Sequence, residues 1–279
     1  MQHQSTFSPS FPIPKSLENS ISNWTTTVAW APFDHACTYR LSHPNGATRY
    51  LKMVQRYAYP SIADELERLQ WAKAFLPVPK IIDFDLDADP AWLLSEGIAG
   101  TNGTEPDLKA NPELLASLLG KALLYFHDHA PVSNCPFDFR LETSLEHVSK
   151  RAQLGLIQPE KHFHPEFQHL SLDEALSFLQ EQQPSSTKEV VCHGDHCVPN
   201  ILFDQNRLQG FVDLGELGVA DVWWDLATAT WSMNWNLGEG WEEMFLHEYG
   251  IGANPEATTY YRLLYDLVSY EQSNLLYFE

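Results

Sequence analysis

Ten residues constrain this chain more than any others: Val191-Cys192-His193-Gly194-Asp195-His196-Cys197-Val198-Pro199-Asn200, bounded by the apolar runs Val190-Val191 and Ile201-Leu202-Phe203. So many polar side chains in one tight loop demand strands on both sides to hold them. After Ile201 to Phe203 come the turn residues Asp204 to Arg207 and then Leu208 to Asp213, which reads as a hairpin. Centring it between Asn206 and Arg207 pairs Phe203 with Gly210 and sets Asn200 opposite Asp213. One amide oxygen and one carboxylate then share the mouth of the hairpin.

That pair suits magnesium, which takes oxygen ligands, usually one or two from protein, with phosphates and waters completing its shell. Asp195, five residues before Asn200 on the same loop, is free to accept a proton from a substrate hydroxyl. Phosphoryl transfer needs this division of labour, because positioning and charge neutralisation supply most of the catalysis. An Asp and an Asn that merely cap a turn are the plainer alternative. Cys192, His193, His196 and Cys197 raise the possibility of a transition-metal site. Adjacent Cys-His pairs do not converge easily on one tetrahedral ion, however, and no distant second ligand pair exists. Cys192 reads as a buried strand residue and His193 as a backbone partner near the loop.

Residues 24 to 59 read as a small antiparallel sheet, with Trp24 to Trp30, Tyr39 to Leu41 and Tyr50 to Gln55 as strands and Pro44-Asn45-Gly46 as a turn. A helix is expected from Ser61, its N-cap, to about Phe75, and strands at Lys80 to Phe84 and Trp92 to Leu94 complete a first lobe. Lys52 shares a strand face with Tyr50 and Val54, while Glu65 lies on the apolar stripe of the following helix. Two readings stay open: a Lys52 to Glu65 ion pair offered to phosphates, or a surface Glu65 to Arg68 contact with a snorkelling Lys52. Gly97 to Pro106 reads as a hinge, and beyond it the pattern is helical, from the Asn111 cap and Pro112 to Pro131. Further helices are expected at Leu172 to Gln180, Asp221 to Trp235, Trp241 to Tyr249 and Glu256 to Tyr270, with 157 to 170 irregular and polar. Asp221 reads as an N-cap, and Asp225, one turn later among apolar residues, as a brace for the Asp195 loop.

Charge narrows the partners. The 279 residues carry 17 Lys and Arg against 37 Asp and Glu, a formal −20, which disfavours nucleic acid and favours cations, although solubility alone would also explain it. Four scattered cysteines fit a reducing compartment better than a disulfide framework. Residues 1 to 20 lack a basic start followed by an apolar run, and no apolar run reaches the roughly 18 residues of a membrane span, so a cytoplasmic protein without a membrane partner is expected.

His193-Gly194-Asp195 with Asn200, then Gly210-Phe211-Val212-Asp213-Leu214-Gly215, Gly218-Val219-Ala220-Asp221 and Asp225-Leu226-Ala227 together resemble the aminoglycoside phosphotransferases, particularly the 3′-phosphotransferase (kanamycin kinase) group. The likeness extends through Leu76 to Lys80, Trp92 to Leu94, Asn134 to Asp138 and Tyr261 to Leu264. It implies an α+β, protein-kinase-like bilobal fold, with residues 1–97 as a β-rich N-lobe and 98–279 as a mainly helical C-lobe. It further implies ATP and Mg2+, with Asp195 as base, Asn200 and Asp213 as metal ligands, Lys52 on the phosphates and Glu65 as its partner. The hinge Ser95, Glu96, Gly97 and Ile98 would meet adenine, and Phe33 to Cys37 would be the phosphate loop, with Asp34 as an unexpected carboxylate there. Glu160, Glu166, Glu216 and Asp266 would receive a polycationic aminoglycoside. Residues 269 to 279 extend past the point where relatives end. A monomer or weak dimer conferring antibiotic resistance is the leading expectation; a kinase for another alcohol, or a nucleotide-binding pseudokinase, is the alternative.

Overall fold

A computed structural model describes residues 11 to 268, except 34, 57, 59, 186 and 187. The expectations for Asp34 and for 269 to 279 therefore lie outside the described residues. After a four-residue helix, α1 (Lys15–Glu18), the first lobe is built from β1 (Thr25–Phe33), β2 (Ala36–Ser42), β3 (Thr48–Val54), α2 (Ile62–Ala72), β4 (Ile81–Asp85) and β5 (Ala91–Glu96). Its strands form one antiparallel sheet in the order β1-β2-β3-β5-β4. Ser61 and Asp64 close a reciprocal capping box at the start of α2, which stops a turn short of Phe75.

Strand alternation divides this sheet into two faces with different neighbours. Cys37, Tyr39, Leu41, Leu51, Met53, Trp92 and Leu94 point outward, into a small core closed by Phe11, Leu17 and Ile21 of the N-terminal segment. The Tyr39 hydroxyl donates to the Phe11 carbonyl at 2.7 Å and ties that segment down. Ala36, Val54, Ala91 and Leu93 point the other way, into a core continuous with the second lobe. Lys52, between Leu51 and Met53, shares that inner face.

The second lobe contains β6 (Thr101–Asn102), α3 (Pro106–Lys109), α4 (Pro112–His129), α5 (Leu141–Gln153), α6 (Pro159–His162), α7 (Leu172–Glu181), β7 (Glu189–Cys192), β8 (Ile201–Asp204), β9 (Arg207–Phe211), β10 (Gly218–Asp221), α8 (Trp223–Leu237), α9 (Glu242–Tyr249) and α10 (Pro255–Val268). The two-lobed α+β arrangement read from the sequence is present. The stretch Gly97 to Pro106, read as a hinge, is partly pinned, because β6 pairs with β8 and Gly100, at φ +108°, lies too close to the Phe203 carbonyl to accept a side chain. No element was expected at α5, whose apolar residues are sparse. The stretch 157 to 170, read as irregular and polar, carries α6 and buries Ile157, Phe163 and Phe167. No described helix is long and apolar enough to cross a membrane.

The N-terminal strap makes a stability prediction. Leu17 is buried in the outer core, so Leu17→Ala should cost about 2–4 kcal/mol in urea unfolding while leaving turnover unchanged; a cost below about 1 kcal/mol would show that the strap does not seal this face.

Candidate active site

The hairpin β8–β9 departs from its expected register by two residues at its tip and by one beyond a bulge. Gln205 and Asn206 occupy its turn, both with positive φ (48° and 60°), as a two-residue primed turn requires. Phe203 consequently pairs with Leu208 rather than Gly210, and Gln209 bulges before Leu202 pairs with Gly210. The Val212 N–H donates to the Asn200 carbonyl at 3.0 Å, so Asn200 faces Val212, and Asp213 follows at φ +63°. Asp tolerates that left-handed conformation better than most residues. Asn200 and Asp213 still meet at the hairpin mouth, displaced by one position from direct opposition.

The loop between β7 and β8 is held from below. Asp225, in the first turn of α8 and fully buried, accepts from the His193 N–H at 2.6 Å and the Gly194 N–H at 3.0 Å. The Trp224 indole donates to the Gly194 carbonyl at 3.0 Å, and two turns along the helix the Ser232 hydroxyl accepts from the Val198 N–H at 3.0 Å. Gly194 has φ +89°, and a Cβ there would collide with the Glu216 carbonyl, so only glycine fits between His193 and Asp195. The brace expected of Asp225 is thus present. Asp221 ends β10 and receives the Trp223 N–H at 2.9 Å, one position ahead of the helix N-cap, Val222.

Sequence reasoning missed His127. At the end of α4 its Nε2 lies 3.0 Å from Asp225 and its Nδ1 2.8 Å from the Tyr249 hydroxyl. Its place four residues after buried Leu123 on the α4 apolar stripe was the available signal. Burial pushes the Asp225 carboxyl up, but the hydrogen bond and charge of His127 outweigh it and hold it below the usual range. His127, Cys192 and Asp225 are the one trio of soft or acidic groups close enough to share an ion among the described residues. All three are occupied, since Cys192 Sγ lies 3.5 Å from the Asp221 carbonyl. The His193 ring, as expected, serves the backbone, accepting from the Asp195 N–H at 3.3 Å.

Above the loop, the Lys52 ammonium lies 2.6 Å from both Glu65 and Asp213. This settles the two open readings: Glu65 pairs with Lys52, while Arg68 turns across to the second lobe, donating to the Leu217 carbonyl at 2.9 Å and pairing with Asp64 at 3.2 Å. Burial alone would lower the Lys52 pKa, but Asp213 and Glu65 together raise it well above its ordinary value, so it is a permanent cation. Burial likewise pushes Asp213 upward, and Lys52 more than reverses the shift.

Asp195 sits on the floor of the same cleft. The Asn200 amide donates to its Oδ2 at 2.8 Å and to its carbonyl at 3.0 Å. Burial and the nearby Asp213 charge raise its pKa, which makes it a stronger base than an exposed aspartate. A cavity of about 780 Å³ joins Lys52, Asp195, Asp213, Glu216 and Asp266. The amide oxygen of Asn200 and the Asp213 carboxylate form a hard, all-oxygen donor set that fits a small dication.

Other expected site residues fall elsewhere. Glu160 and Glu166 are exposed and do not line the cleft; Glu166 is 3.5 Å from Arg262. Asp266 lines it, but its carboxylate accepts the His164 N–H at 2.8 Å and also contacts the His164 ring. In the hinge, the Glu96 N–H donates to Lys80 and the Gly97 N–H to Thr48, at 2.8 and 2.9 Å, and the Glu96 side chain pairs with Lys80. Ser95, Glu96, Gly97 and Ile98 do not line the cavity.

The chain is similar to known phosphotransferases in sequence and in fold. Residues 31–263 match the model of the phosphotransferase enzyme family. An aminoglycoside 3′-phosphotransferase of Niallia circulans is 29% identical over 230 residues, covering 82% of this chain and 86% of its own. A type VIII aminoglycoside-3′-phosphotransferase superposes with a TM-score of 0.79 at 25% identity, covering 91% of this chain and 97% of its own. An aminoglycoside phosphotransferase from Streptomyces rimosus, in complex with ADP and streptomycin, superposes at 0.71 with 25% identity, covering 90% and 96%. The cleft residues from Lys52 to Asp225 all fall inside the matched span, and the chain belongs to the phosphotransferase enzyme family.

Proposed function

We propose that this chain transfers the γ-phosphoryl group of ATP to a hydroxyl of an aminoglycoside antibiotic, the 3′-hydroxyl of a kanamycin or neomycin type, and thereby confers resistance. The observation that carries this reading is the Lys52 ammonium, 2.6 Å from both Glu65 and Asp213, in one cleft with Asp195. A permanent cation fixed by two carboxylates is a phosphate anchor, and a desolvated carboxylate beside it is a proton acceptor.

In this reading Asp195 accepts the proton of the substrate hydroxyl as its oxygen attacks the γ-phosphorus, and the bond to the β-phosphate oxygen breaks to release ADP. Asn200 fixes the Asp195 carboxylate through its amide N–H and, with Asp213, would hold magnesium, which would neutralise charge on the phosphate oxygens. Lys52 orients the phosphates, and Glu65 keeps Lys52 extended toward them. The adenine would lie against the remaining backbone groups of 95–98. The boundary near residue 97 would separate nucleotide-holding and acceptor-holding lobes, with reaction in the cytoplasm, where ATP is available.

Expressed in a susceptible bacterium, the wild-type chain should raise kanamycin tolerance, and Asp195→Asn should abolish the gain by lowering kcat about 10³-fold or more. Because the folded pKa of Asp195 is raised, its ionisation opposes folding: its contribution to stability is complete below the unfolded pKa and is lost as pH rises through the folded one. Asp195→Asn should therefore have the higher Tm at pH 7.5, with the gap closing toward pH 4; a variant that is active, or less stable at pH 7.5, would contradict the assignment. Lys52→Met should reduce kcat/KM for ATP by about 10²-fold or more with little change in the acceptor KM. Equal damage to both substrates would remove Lys52 from the phosphates.

A further inference from the structure

Four carboxylates line the cleft, those of Asp195, Asp213, Glu216 and Asp266, and three of them are answered by groups of the protein. The Asn200 amide donates to Asp195 at 2.8 Å, the Lys52 ammonium lies 2.6 Å from Asp213, and Asp266 is bound by the backbone and ring of His164. Glu216 is the exception: its carboxylate accepts no hydrogen bond and forms no ion pair with a described residue. Lys52 is held between Glu65 and Asp213, and Arg68 is turned to the Leu217 carbonyl and to Asp64. Lys161 stands exposed on α6 at the rim of the cavity.

The backbone fixes where this unanswered charge sits. A Cβ built on Gly194 would lie 2.6 Å from the Cβ of Glu216, so the Glu216 side chain starts in contact with the residue that precedes Asp195. On either side of it, a Cβ on Gly215 would come within 2.8 Å of the Pro60 ring, and the Leu217 carbonyl is held by Arg68. Glu216 is thus clamped at both neighbours and opens into the cleft beside the base. Burial and the charges of Asp195 and Asp213 push its carboxyl well up, and the pull of Arg68 and Lys52 does not reverse this. A carboxylate so placed is stabilised only by a cation that arrives from outside.

Two kinds of cation enter the cleft in the proposed reaction, magnesium and the ammonium groups of the acceptor. Magnesium has its own oxygen donors in Asn200 and Asp213. Glu216 is tied instead to the Gly194–Asp195 turn, the point at which the acceptor hydroxyl has to arrive. The Tyr265 hydroxyl, 3.4 Å from Asp195 Oδ1, bounds that point on the side of α10. Substituents on adjacent carbons of a sugar ring lie side by side, so a hydroxyl placed on Asp195 brings the group on the neighbouring carbon to Glu216.

Resting on the kinase reading above, we propose that Glu216 reads the carbon next to the phosphorylated one: it receives an ammonium group vicinal to the acceptor hydroxyl. The chain therefore prefers aminoglycosides with a 2′-ammonium beside the 3′-hydroxyl to those with a 2′-hydroxyl. The ammonium donates to Glu216 while the neighbouring hydroxyl donates to Asp195, and two such contacts fix the rotation of the ring and aim the 3′ oxygen. A 2′-hydroxyl fills the same place but leaves the Glu216 charge without a counter-ion.

Kanamycin B and kanamycin A are the probes, since they differ only in bearing an ammonium or a hydroxyl at the 2′ carbon. Calorimetric binding to the protein loaded with magnesium and ADP is measured for wild type, Glu216→Gln and Glu216→Asp, alongside ADP release from ATP. In wild type kanamycin B should bind about tenfold or more tightly than kanamycin A. Glu216→Gln, which keeps the shape and removes the charge, should shrink that ratio to about threefold or less. Glu216→Asp keeps the charge on a shorter arm and should retain part of the preference; it decides the matter if Glu216→Gln does not fold. Glu160→Gln removes the same charge from outside the cleft and should leave the ratio as in wild type. If it shrinks the ratio as much as Glu216→Gln does, the extra charge of kanamycin B is sensed at long range and the proposal is overturned. A ratio that survives Glu216→Gln would also overturn it, as would an unchanged ratio with a raised magnesium requirement, which would put Glu216 on the metal. Equal affinity for both probes with ADP released on each would sink the Glu216 contact and leave the kinase reading intact. A Glu216-dependent ratio with no ADP release on either would do the reverse.

Discussion

The Asp225 carboxylate is the fixed point of this molecule. It is fully buried, it accepts two successive backbone N–H groups of the loop that carries Asp195, and it is balanced by His127 from a second helix. Removing one partner of such a buried pair typically costs about 3–5 kcal/mol, because the other charge is left unsolvated. Its depressed pKa means that its contribution to stability is present above the unfolded carboxylate pKa and is lost as pH falls through the folded value. The loop that carries Asp195 thus inherits its position from two helix ends, and the tight passage at Gly194 follows from having to thread between that brace and the Glu216 carbonyl.

Lys52 depends on a different constraint, the alternation of a strand. Because Leu51 and Met53 must fill the outer core under the N-terminal strap, Lys52 has to project inward. There it meets a helix whose Glu65 would otherwise be a buried, unpaired carboxylate. The hydrophobic pattern of the sheet and the electrostatics of the cleft therefore solve each other. Arg68, three residues after Glu65, anchors the same helix to the second lobe through the Leu217 carbonyl, so the ion pair is positioned from both sides of the cleft.

Much of this was legible in the sequence because the decisive residues break local rules. Asp225 among apolar residues, Glu65 on an apolar stripe and Lys52 on a half-buried strand each demanded a partner, and each has one. The hairpin register was read two residues out at the tip and one beyond the bulge, because Gln205 adopts positive φ and Gln209 bulges, choices made by tertiary contacts rather than by local preference. His127 was read only as part of a helix end. Trp231 and Trp235 carry no signal of their own within an apolar helix, and only the fold shows that this side of α8 faces the cleft. The acidic residues expected to receive the substrate, Glu160 and Glu166, followed from the family resemblance, which does not fix the direction in which a loop carboxylate points.

In the proposed reaction one cleft joins a phosphate anchor, Lys52, to a base, Asp195, that activates an alcohol. The most direct measurement is phosphorus NMR of a reaction containing the purified protein, ATP, magnesium and an aminoglycoside or amino-sugar glycoside. Transfer in this cleft requires that ADP and a new phosphate monoester on a glycoside hydroxyl appear in equal amounts. ADP accompanied only by inorganic phosphate, with no ester on any glycoside offered, would contradict it.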